Sequence, residues 1–570
     1  TMEPRGVMAQ WDAAAGRLTV SGAAKVPFFN RRILAAQMGL DESAVDMIEL
    51  DVGGGFGARG EFYPEDFLIP FAARRTGRPV KWTEDRRENL IATQHARDIA
   101  CEIEIACERD GTILGLRGRT VADLGAYLRT NGLVGPRNVA QFLAGPYRVP
   151  NISIDAWAVL TNKTPSGTYR GPGRFEGDFF RERLLDLAAK DLGIDRVEFR
   201  LRNLVADAEM PYPLPAITPY ESVTELDSGD YQAVLQRCLA EFGWAEKTRL
   251  DGKLIDGRYH GTGVACFVEG GAAGPRENAR LVIENDGAVS VYVGSSAIGQ
   301  GLETVFGQIA ADALELPMDR IRVYHGSTTY VSEGFGSYHS RASVMGGSAI
   351  LLAAAKLKDE IRNAAAKHFG CAPAEVEIRE DRVWGSAGRT ATLGELAGGG
   401  LEAEASFASH KYTYTYGAHA AHVAVDHKTG HVAILDYLAI EDVGRIMNPL
   451  TLHGQVIGSL VQGLGGTFLE RFAYDQNGQL LSGTFADYLM PTASDFPNLR
   501  AVSLELKPSP NNPLGAKGAG EGGIIPAGGV IANAVAAALA PLRCEPRELP
   551  LSPPRLWEMI QDARRAAAAD

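Results

Sequence analysis

Glycine clusters recur along this chain, and several stand where an apolar stretch with the period of a strand ends. The first, Gly-Gly-Gly-Phe-Gly at residues 53–57, follows a strand-like run at 48–52. Before it, residues 16–26 alternate as a strand does, and residues 28–40 carry a helical period. Strand, helix, strand and then a glycine turn is typical of α/β and α+β domains. We therefore predict an α+β fold with mixed α/β layers.

The length of the chain requires more than one hydrophobic core. Its 570 residues exceed the about 250 to 300 at which single cores usually stop growing. The pattern of strand, glycine turn and helix begins again after the polar stretch 246–259, with strands predicted at 279–283 and 289–293 and a helix at 302–314. We place a domain boundary in that polar stretch. The two predicted domains, similar in size, are residues 1–247 and 248–570.

Charge and cysteine content exclude several classes of partner. The net charge is −13, and a negative field repels nucleic-acid backbones and anionic lipid headgroups. The weakly polar stretch 528–539 is shorter than the roughly 20 apolar residues that span a bilayer, and it is predicted to be a buried helix. The 6 cysteines are scattered, without the spacing of iron–sulfur or zinc ligands. We expect no nucleic-acid or membrane partner and a cytoplasmic location.

Two of the glycine clusters offer groups that recognise an anion or a carbonyl group. The cluster at 53–57 brings backbone N–H groups close to a ligand, although a tight turn is the plainer interpretation. At 168–174, Thr-Tyr-Arg-Gly-Pro-Gly-Arg holds Arg170 among glycines, which suits recognition of a fixed negative or carbonyl group. A solvated surface turn explains this second segment equally well.

Two more clusters lead into predicted helices. At 297–304 a strand passes through glycines to a helix start, where Gln300 either hydrogen-bonds a ligand or caps its own helix. At 336–343 hydroxyl groups surround Arg341 in front of a small-residue helix, which suits a phosphate. Ordinary capping by Ser340 or Ser343 is the alternative for this segment.

The last cluster carries a single carboxylate. Glu521 stands in the segment 511–523 among glycines and alanines, with Lys517 nearby. A glutamate in a dry pocket has a raised pKa and becomes a credible general base. Most glutamates are solvated, so the segment alone leaves both interpretations open.

In this order the five segments resemble the molybdenum-binding large subunits of the xanthine dehydrogenase, aldehyde oxidase and aerobic carbon monoxide dehydrogenase family. The resemblance runs over residues 2–551 and includes the stretches 82–89 and 442–449. It implies two molybdenum-cofactor-binding domains and a molybdenum hydroxylase. The implied reaction is oxidative hydroxylation of an aldehyde or an N-heterocyclic compound with water as the oxygen source.

The resemblance also assigns residues. Glu521 matches the family's catalytic glutamate, the base at the metal, and Arg170 matches an arginine that reaches the substrate side. No residue is expected to bind the metal directly, because the dithiolene sulfurs of the pterin hold it. The residues matched to cofactor binding are Gly55, Phe56, Gly57, Gln300, Gly301, Ser337, Tyr338, Ser340, Arg341, Ser343, Asp442, Gln455, Lys517, Gly518 and Gly520.

The implied cofactor is molybdopterin with molybdenum, in the cytosine dinucleotide form usual in bacteria. Electrons then have to leave this chain, and the resemblance implies a 2Fe-2S subunit and an FAD subunit as partners. Family large subunits carry a further domain before the segment that begins this sequence. Our hypothesis is that a separate chain of the assembly, from a split or processed subunit, supplies that part.

Two positions depart from members of known specificity. Members with a molybdenum–copper centre have a cysteine where this chain has Gly171, which disfavours carbon monoxide oxidation. Purine-oxidising members have an aromatic residue where this chain has Pro172, which favours an aldehyde or another heterocycle.

Other functions remain open at this stage. The chain could be a non-catalytic carrier of the cofactor, or an assembly partner that uses the same loops without turnover. It could be a hydrolase with Thr1 as an N-terminal nucleophile. Within the family, reductive dehydroxylation of an aromatic thioester is a further alternative.

Overall fold

The computed structural model describes residues 1–22, 25–214, 224–272, 274–379, 382–398 and 400–569. Its strands are β1 Gly6–Asp12, β2 Arg17–Gly22, β3 Val45–Glu49, β4 Val80–Thr83, β5 Ile99–Cys107, β6 Ile113–Asp123, β7 Ile152–Val159, β8 Tyr212–Leu214, β9 Thr224–Leu226, β10 Leu254–Ile255, β11 Arg258–Gly271, β12 Arg276–Ile283, β13 Val289–Val293, β14 Ile321–Tyr324, β15 Glu377–Arg379, β16 Arg382–Trp384, β17 Thr390–Ala391, β18 Glu402–Ala408, β19 Thr413–Asp426, β20 Val432–Asp442 and β21 Leu499–Leu504. Its helices are α1 Pro27–Met38, α2 Pro64–Thr76, α3 Arg86–Ala92, α4 Val134–Phe142, α5 Arg174–Leu192, α6 Arg196–Asn203, α7 Tyr231–Phe242, α8 Trp244–Lys247, α9 Leu302–Leu314, α10 Gly347–Phe369, α11 Leu393–Leu396, α12 Pro449–Phe468, α13 Ala527–Ala538 and α14 Pro553–Ala569.

The mixed α/β fold class is confirmed, and the elements with strong periodicity are where the sequence places them. The helix predicted at 302–314 is α9, and the buried helix predicted at 528–539 is α13. The strand predicted at 16–26 is β2, which ends at Gly22: residues 23–24 lie outside the described part of the chain, and residues 25–26 are not strand. The strand predicted at 48–52 is β3, which ends at Glu49. Within that part, every helix is too short or too polar to cross a bilayer.

The chain forms two compact units, each assembled from separate stretches. Unit 1 consists of residues 1–85, 272–411 and 511–516. Unit 2 consists of residues 86–271, 412–510 and 517–570. The units interleave along the sequence, whereas the predicted boundary near residue 247 divides the chain linearly, so that boundary stays a prediction.

Unit 1 contains two four-stranded sheets. The first has the order β3-β2-β1-β4 and packs against α1 and α2, with a core that includes Leu18, Val20 and Leu34. The second has the order β14-β13-β12-β18, with α9 and α10 packed on it. In the first sheet the strands alternate buried and more exposed residues, as expected of a sheet with a helix layer on one face, whereas β13 in the second sheet is almost continuously buried.

Unit 2 is built on a five-stranded sheet of order β10-β11-β19-β20-β21. Successive residues of β11 point to opposite faces: Ala265 and Phe267 pack in the core of α13, whereas Val264 and Cys266 pack in the core of α7. The strand is therefore a continuous apolar run, because a strand with both faces covered has no solvated side. Glu269 interrupts that run and has the parity of the α13 face.

Helix α13 lies unusually close to this sheet. A methyl group added at Gly261 would stand 2.2 Å from the carbonyl oxygen of Ala534, and one added at Gly263 would stand 2.2 Å from that of Val530. Neither distance is compatible with van der Waals packing, so only glycine fits at these two positions of β11. The helix is seated directly on the backbone of the strand.

Candidate active site

Glu521 stands at the end of a glycine-rich loop in unit 2, and other residues of that unit contact both of its carboxylate oxygens. Its Oε1 accepts a hydrogen bond from the backbone N–H of Gly171 at 3.1 Å, and its Oε2 pairs with the guanidinium of Arg174. The side chain is 15% exposed. The carboxylate is therefore oriented by two donors while part of it remains accessible.

The backbone of Glu521 is also held. Its N–H donates to Oε2 of Glu269 at 3.3 Å. Arg174 donates in addition to the carbonyl oxygen of Gly270, at 2.6 Å. The end of β11 and the start of α5 thus fix the glutamate from two sides.

Arg170 is buried, and its guanidinium is saturated by protein acceptors. Its Nε donates to the carbonyl oxygen of Gly520 at 2.6 Å, and its Nη1 donates to Oε1 of Gln462 at 3.1 Å. Its Nη2 donates to Oε1 and to the carbonyl oxygen of Gln455, at 2.9 Å and 3.1 Å. Arg170 thus ties the loop of Glu521 to α12.

Buried charges around these arginines nearly balance. Burial lowers the pKa of Arg170, and the carboxylates of Glu521, Glu269 and Glu441 act in the opposite direction. Burial raises the pKa of Glu441 to about 8, against the effect of Arg170. Glu441 therefore holds a proton near neutral pH, and two carboxylates face the two guanidinium groups of Arg170 and Arg174.

The turn that carries Arg170 depends on glycine. Gly171 and Gly173 have φ angles of +68° and +72°, which residues with a side chain rarely adopt. A methyl group at Gly173 would also lie 2.1 Å from the carbonyl oxygen of Gly135. The glycines let the chain reverse and start α5 at Arg174, so that Gly171 and Arg174 both reach Glu521.

Lys517 is buried in a polar cluster of unit 2. Its Nζ donates to the carbonyl oxygen of Ser228 at 3.0 Å and lies 4.7 Å from the ring centroid of Tyr416. Burial lowers the pKa of this lysine, and the charges of Asp227 and Asp442 act in the opposite direction. The lysine compensates these two carboxylates.

Asp442 and Gly518 have mainly backbone contacts. Asp442 accepts the N–H groups of Gly444 at 3.0 Å, Leu506 at 2.5 Å and Lys507 at 3.2 Å. The N–H of Gly518 donates to Oγ1 of Thr413 at 3.2 Å. Both residues hold the loop that leads to Glu521, and their assignment to the cofactor stays a prediction.

In unit 1, the predicted residues around Phe56 form a strained loop tip. Phe56 and Gly57 have φ angles of +49° and +114°, and the Phe56 side chain is 39% exposed. A methyl group at Gly55 would lie 3.1 Å from the side chain of Ile298, so this tip lies against the loop that carries Gln300. An exposed aromatic ring held in strained backbone is typical of a ligand contact.

Gln300 closes its own loop. Its Oε1 accepts the N–H of Ile298 at 2.6 Å, and its Nε2 donates to the carbonyl oxygen of Ser296 at 2.9 Å. Gly301, with a φ angle of +77°, is the N-cap of α9. Ser337 donates to the same carbonyl of Ser296 at 2.6 Å, which joins the Gln300 loop to the segment 336–343.

Arg341 is fully buried and is bonded to protein atoms. It pairs with Glu277 at 2.5 Å and donates to the carbonyl oxygens of Gly336 at 3.1 Å and Arg276 at 2.5 Å. The ring of Tyr338 lies 5.3 Å from its guanidinium. The arginine thus braces the segment from inside.

The two serines of the segment 336–343 lie in irregular backbone. Ser340 has a φ angle of +49°, and Ser343 lies in the π-helical turn Ala342–Gly346. Their assignment to phosphate binding stays a prediction.

The structure brings together part of the predicted site and adds residues that the sequence analysis missed. Within unit 2, Arg170, Gln455, Gly520 and Glu521 lie in contact as one cluster. The missed residues of this cluster are Arg174, Glu269, Glu441 and Gln462. Arg174 belonged to a segment already selected, and Glu269 could have been found as the one carboxylate in a buried apolar strand.

The comparisons with known proteins agree over nearly the whole chain. Two family profiles described as molybdopterin cofactor-binding domain match it, one over residues 1–204 and the other over residues 237–497. The gamma subunit of the 6-hydroxypseudooxynicotine dehydrogenase complex of Paenarthrobacter nicotinovorans is 36% identical over 581 residues, which is 99% of this chain and 73% of that protein.

Two further proteins extend the comparison. The nicotine 6-hydroxylase large subunit of the same organism is 31% identical, over 97% of this chain and 71% of that protein. The crystal structure of quinoline 2-oxidoreductase from Pseudomonas putida 86 superposes with a TM-score of 0.92 at 33% identity, over 98% of this chain and 74% of that one.

Proposed function

Because this chain belongs to the molybdopterin-binding large subunits of the xanthine dehydrogenase and aldehyde oxidase family, we propose that Glu521 is its catalytic base and that an N-heteroaromatic compound or an aldehyde is its substrate. The chain is the catalytic subunit of a molybdenum-dependent oxidoreductase. The observation that carries the proposal is the setting of Glu521, a carboxylate held by Gly171 and Arg174 and still partly exposed.

The loops of the chain fit a molybdopterin group. The pterin supplies its own sulfur ligands to the metal, so the protein has to offer only hydrogen-bond donors and space. In unit 1, Phe56 exposes its ring at a loop tip, and, its chain neighbours aside, none of the described residues has an atom within 4 Å of a methyl group built on Gly299. In unit 2, Nε of Arg174 is buried without a hydrogen-bond partner among the described residues. Open glycine loops and a spare buried donor are what a bound polar cofactor requires.

The bound cofactor would supply the two-electron oxidation of a carbon–hydrogen bond, with oxygen taken from water. Glu521 would take up the proton that the attacking oxygen loses, on whichever of its oxygens faces the substrate. The Gly171 N–H and Arg174 donate hydrogen bonds to this carboxylate and hold its direction. Arg170 would act by fixing the Gly520 carbonyl, which precedes Glu521 directly.

The finer cofactor and partner assignments are part of the proposal. We expect the pterin to carry a cytosine dinucleotide, held in part by the segment 336–343. We expect electrons to pass to a 2Fe-2S subunit and from there to an FAD subunit. The word "complex" in the name of one relative, and "large subunit" in that of another, support an assembly of several chains.

The substrate class rests on the turn and on the relatives. Gly171 and Pro172 leave the substrate side of this turn without a thiol and without an aromatic ring. Two relatives are named for nicotine and quinoline, both of which contain an aromatic ring nitrogen. We therefore place N-heteroaromatic compounds first and aldehydes second.

The test uses the complete complex purified with its partner chains. Molybdenum and released cytidine monophosphate are quantified, and N-heteroaromatic compounds and aldehydes are screened with an artificial electron acceptor. Glu521→Gln should lower kcat by about 10²- to 10⁴-fold, as expected for loss of a general base. Glu545→Gln is the matched control, because Glu545 pairs with Arg183 and Lys190 and has no contact with the cluster. Wild-type turnover in the Glu521 variant would refute the assignment.

A further inference from the structure

The segment 94–97 runs along the outside of the turn that carries Arg170. His95 exchanges backbone hydrogen bonds with Pro165 at 2.9 Å and Gly167 at 2.8 Å. Gln94 donates from Nε2 to the carbonyl oxygen of Thr168 at 2.7 Å. These contacts hold the residues that lead into the turn, from Pro165 to Thr168.

Arg97 continues this series with four contacts on the turn itself. Its Nη2 donates to the carbonyl oxygen of Arg170 at 2.6 Å, and its Nη1 pairs with Glu176 at 3.1 Å. Its guanidinium lies 4.6 Å from the ring centroid of Tyr169 and 4.4 Å from that of Phe175. One planar cation thus joins the two sides of the turn at Gly171.

The backbone of Arg97 is strained to make these contacts. Its φ angle is +81°, a region that residues with a side chain rarely adopt and that glycine occupies freely. Backbone strain of this kind persists only where surrounding contacts over-determine it. The four contacts of the Arg97 guanidinium can hold its backbone in this conformation.

We propose that Arg97 is a positioning residue, which holds the turn so that Gly171 and Arg174 keep the Glu521 carboxylate in its reactive orientation. The inference rests on the proposed role of Glu521. It assigns Arg97 no contact with substrate or cofactor. Removing the guanidinium would remove the link that it makes between the Arg170 carbonyl oxygen and Glu176, on the two sides of Gly171.

The test exploits the left-handed backbone of Arg97. Arg97→Gly keeps that conformation without strain and deletes only the side chain. Arg97→Lys restores the charge but cannot reach both Glu176 and the Arg170 carbonyl with one ammonium group. Arg543→Gly is the matched control, since Arg543 is an exposed arginine with a φ angle of +54°.

Amide hydrogen exchange of peptides that cover residues 168–177 is measured in the purified complex without substrate, together with the melting temperature. In Arg97→Gly we expect exchange of these amides to rise at least about tenfold, with other peptides unchanged. We expect kcat to fall by about 10- to 100-fold at nearly constant KM, since a displacement of one ångström costs about that much. Arg97→Lys should recover part of both effects, and Arg543→Gly should show neither.

Wild-type exchange at residues 168–177 in Arg97→Gly would overturn the proposal, and so would a faster exchange spread over all of unit 2. If Arg97→Gly does not fold, Arg97→Lys decides: faster exchange confined to this segment supports the role, and wild-type exchange refutes it. The exchange measurement needs no substrate. A complex that oxidises none of the screened compounds would therefore fail the proposed function and leave this test intact.

Discussion

Glu441 is a carboxyl group near the site that the fold keeps protonated at neutral pH. Its pKa is raised to about 8 by burial, from an ordinary value of 4.5, and its neighbour His419 has a pKa lowered to about 3 by burial. The folded protein keeps the Glu441 proton between pH 4.5 and pH 8, whereas the unfolded chain releases it. Stability from this group is therefore complete below about pH 4.5 and is lost as pH rises through about 8.

Glu441→Gln should remove this pH dependence, because glutamine keeps the shape and carries no titrating proton. We expect the melting temperature of the variant to rise relative to that of the wild type as the pH increases from 6 to 8.5. The difference corresponds to a few kcal/mol at most in the free energy of unfolding. Glu49 also has a pKa raised to about 8, but it is common to both proteins and cancels in the difference. If the melting temperatures of the two proteins changed with pH in parallel over that range, the prediction would be contradicted.

A single residue of the site could be predicted from the sequence where it stands in a glycine-rich segment, and not where it stands in an ordinary strand or helix. Glu521 and Arg170 were selected because each is a charged residue among glycines, and the resemblance to the family supplied the roles proposed for them. Glu441 and Gln462 lie in segments whose sequence resembles ordinary strand and helix, and only the folded chain places them beside Arg170. The contacts of Arg341 with Glu277 also join residues far apart in sequence, so no local pattern revealed them.

Helix α5 offers a test of why its first turn requires glycine. Gly173 precedes its start and Gly193 follows its end, with φ angles of +72° and +69°. Alanine at Gly193 meets no atom within 4 Å, whereas alanine at Gly173 would lie 2.1 Å from the carbonyl oxygen of Gly135. Both variants carry the left-handed penalty of about 1–2 kcal/mol, and Gly173→Ala alone adds a steric clash.

We therefore expect Gly173→Ala to lower the melting temperature by several degrees more than Gly193→Ala, with loss of turnover in the first variant alone. Thermal unfolding and steady-state rates check both statements. Equal destabilisation by the two substitutions would mean that the turn adapts to the methyl group.

At the level of elements, periodicity predicted the helices well and the sheets poorly. Helix α9 has the bounds 302–314 that its apolar spacing predicts, because the period of a helix is a local property. The pairing of β11 with β19 joins Arg258 to Asp426 and Gly271 to Thr413. No local pattern carries such a pairing, since it depends on which apolar strands meet after more than a hundred intervening residues.

The whole molecule cannot be divided at residue 247 without dividing both compact units. Residues 1–247 lack β11 and α13, and residues 248–570 lack α5, which packs on α13 in unit 2. We expect neither fragment to unfold cooperatively when produced alone, as measured by circular dichroism and limited proteolysis. The control is the full chain cut at the exposed turn after Asp256, which retains every segment and should stay folded. A cooperative transition in either fragment would support the linear division.

Because α13 packs directly on Gly261 and Gly263, substitutions at these two positions are expected to affect the reaction although they lie away from the catalytic loop. Glu521 precedes the first residue of this helix, Ala527, through a short buried turn. One extra methyl group beneath the helix would raise its axis and carry the carboxylate with it. Positions that never contact a substrate can therefore be as intolerant of substitution as those that do. In a survey of inactive variants, we expect substitutions at the positions beneath α13 as well as in the loop of Glu521.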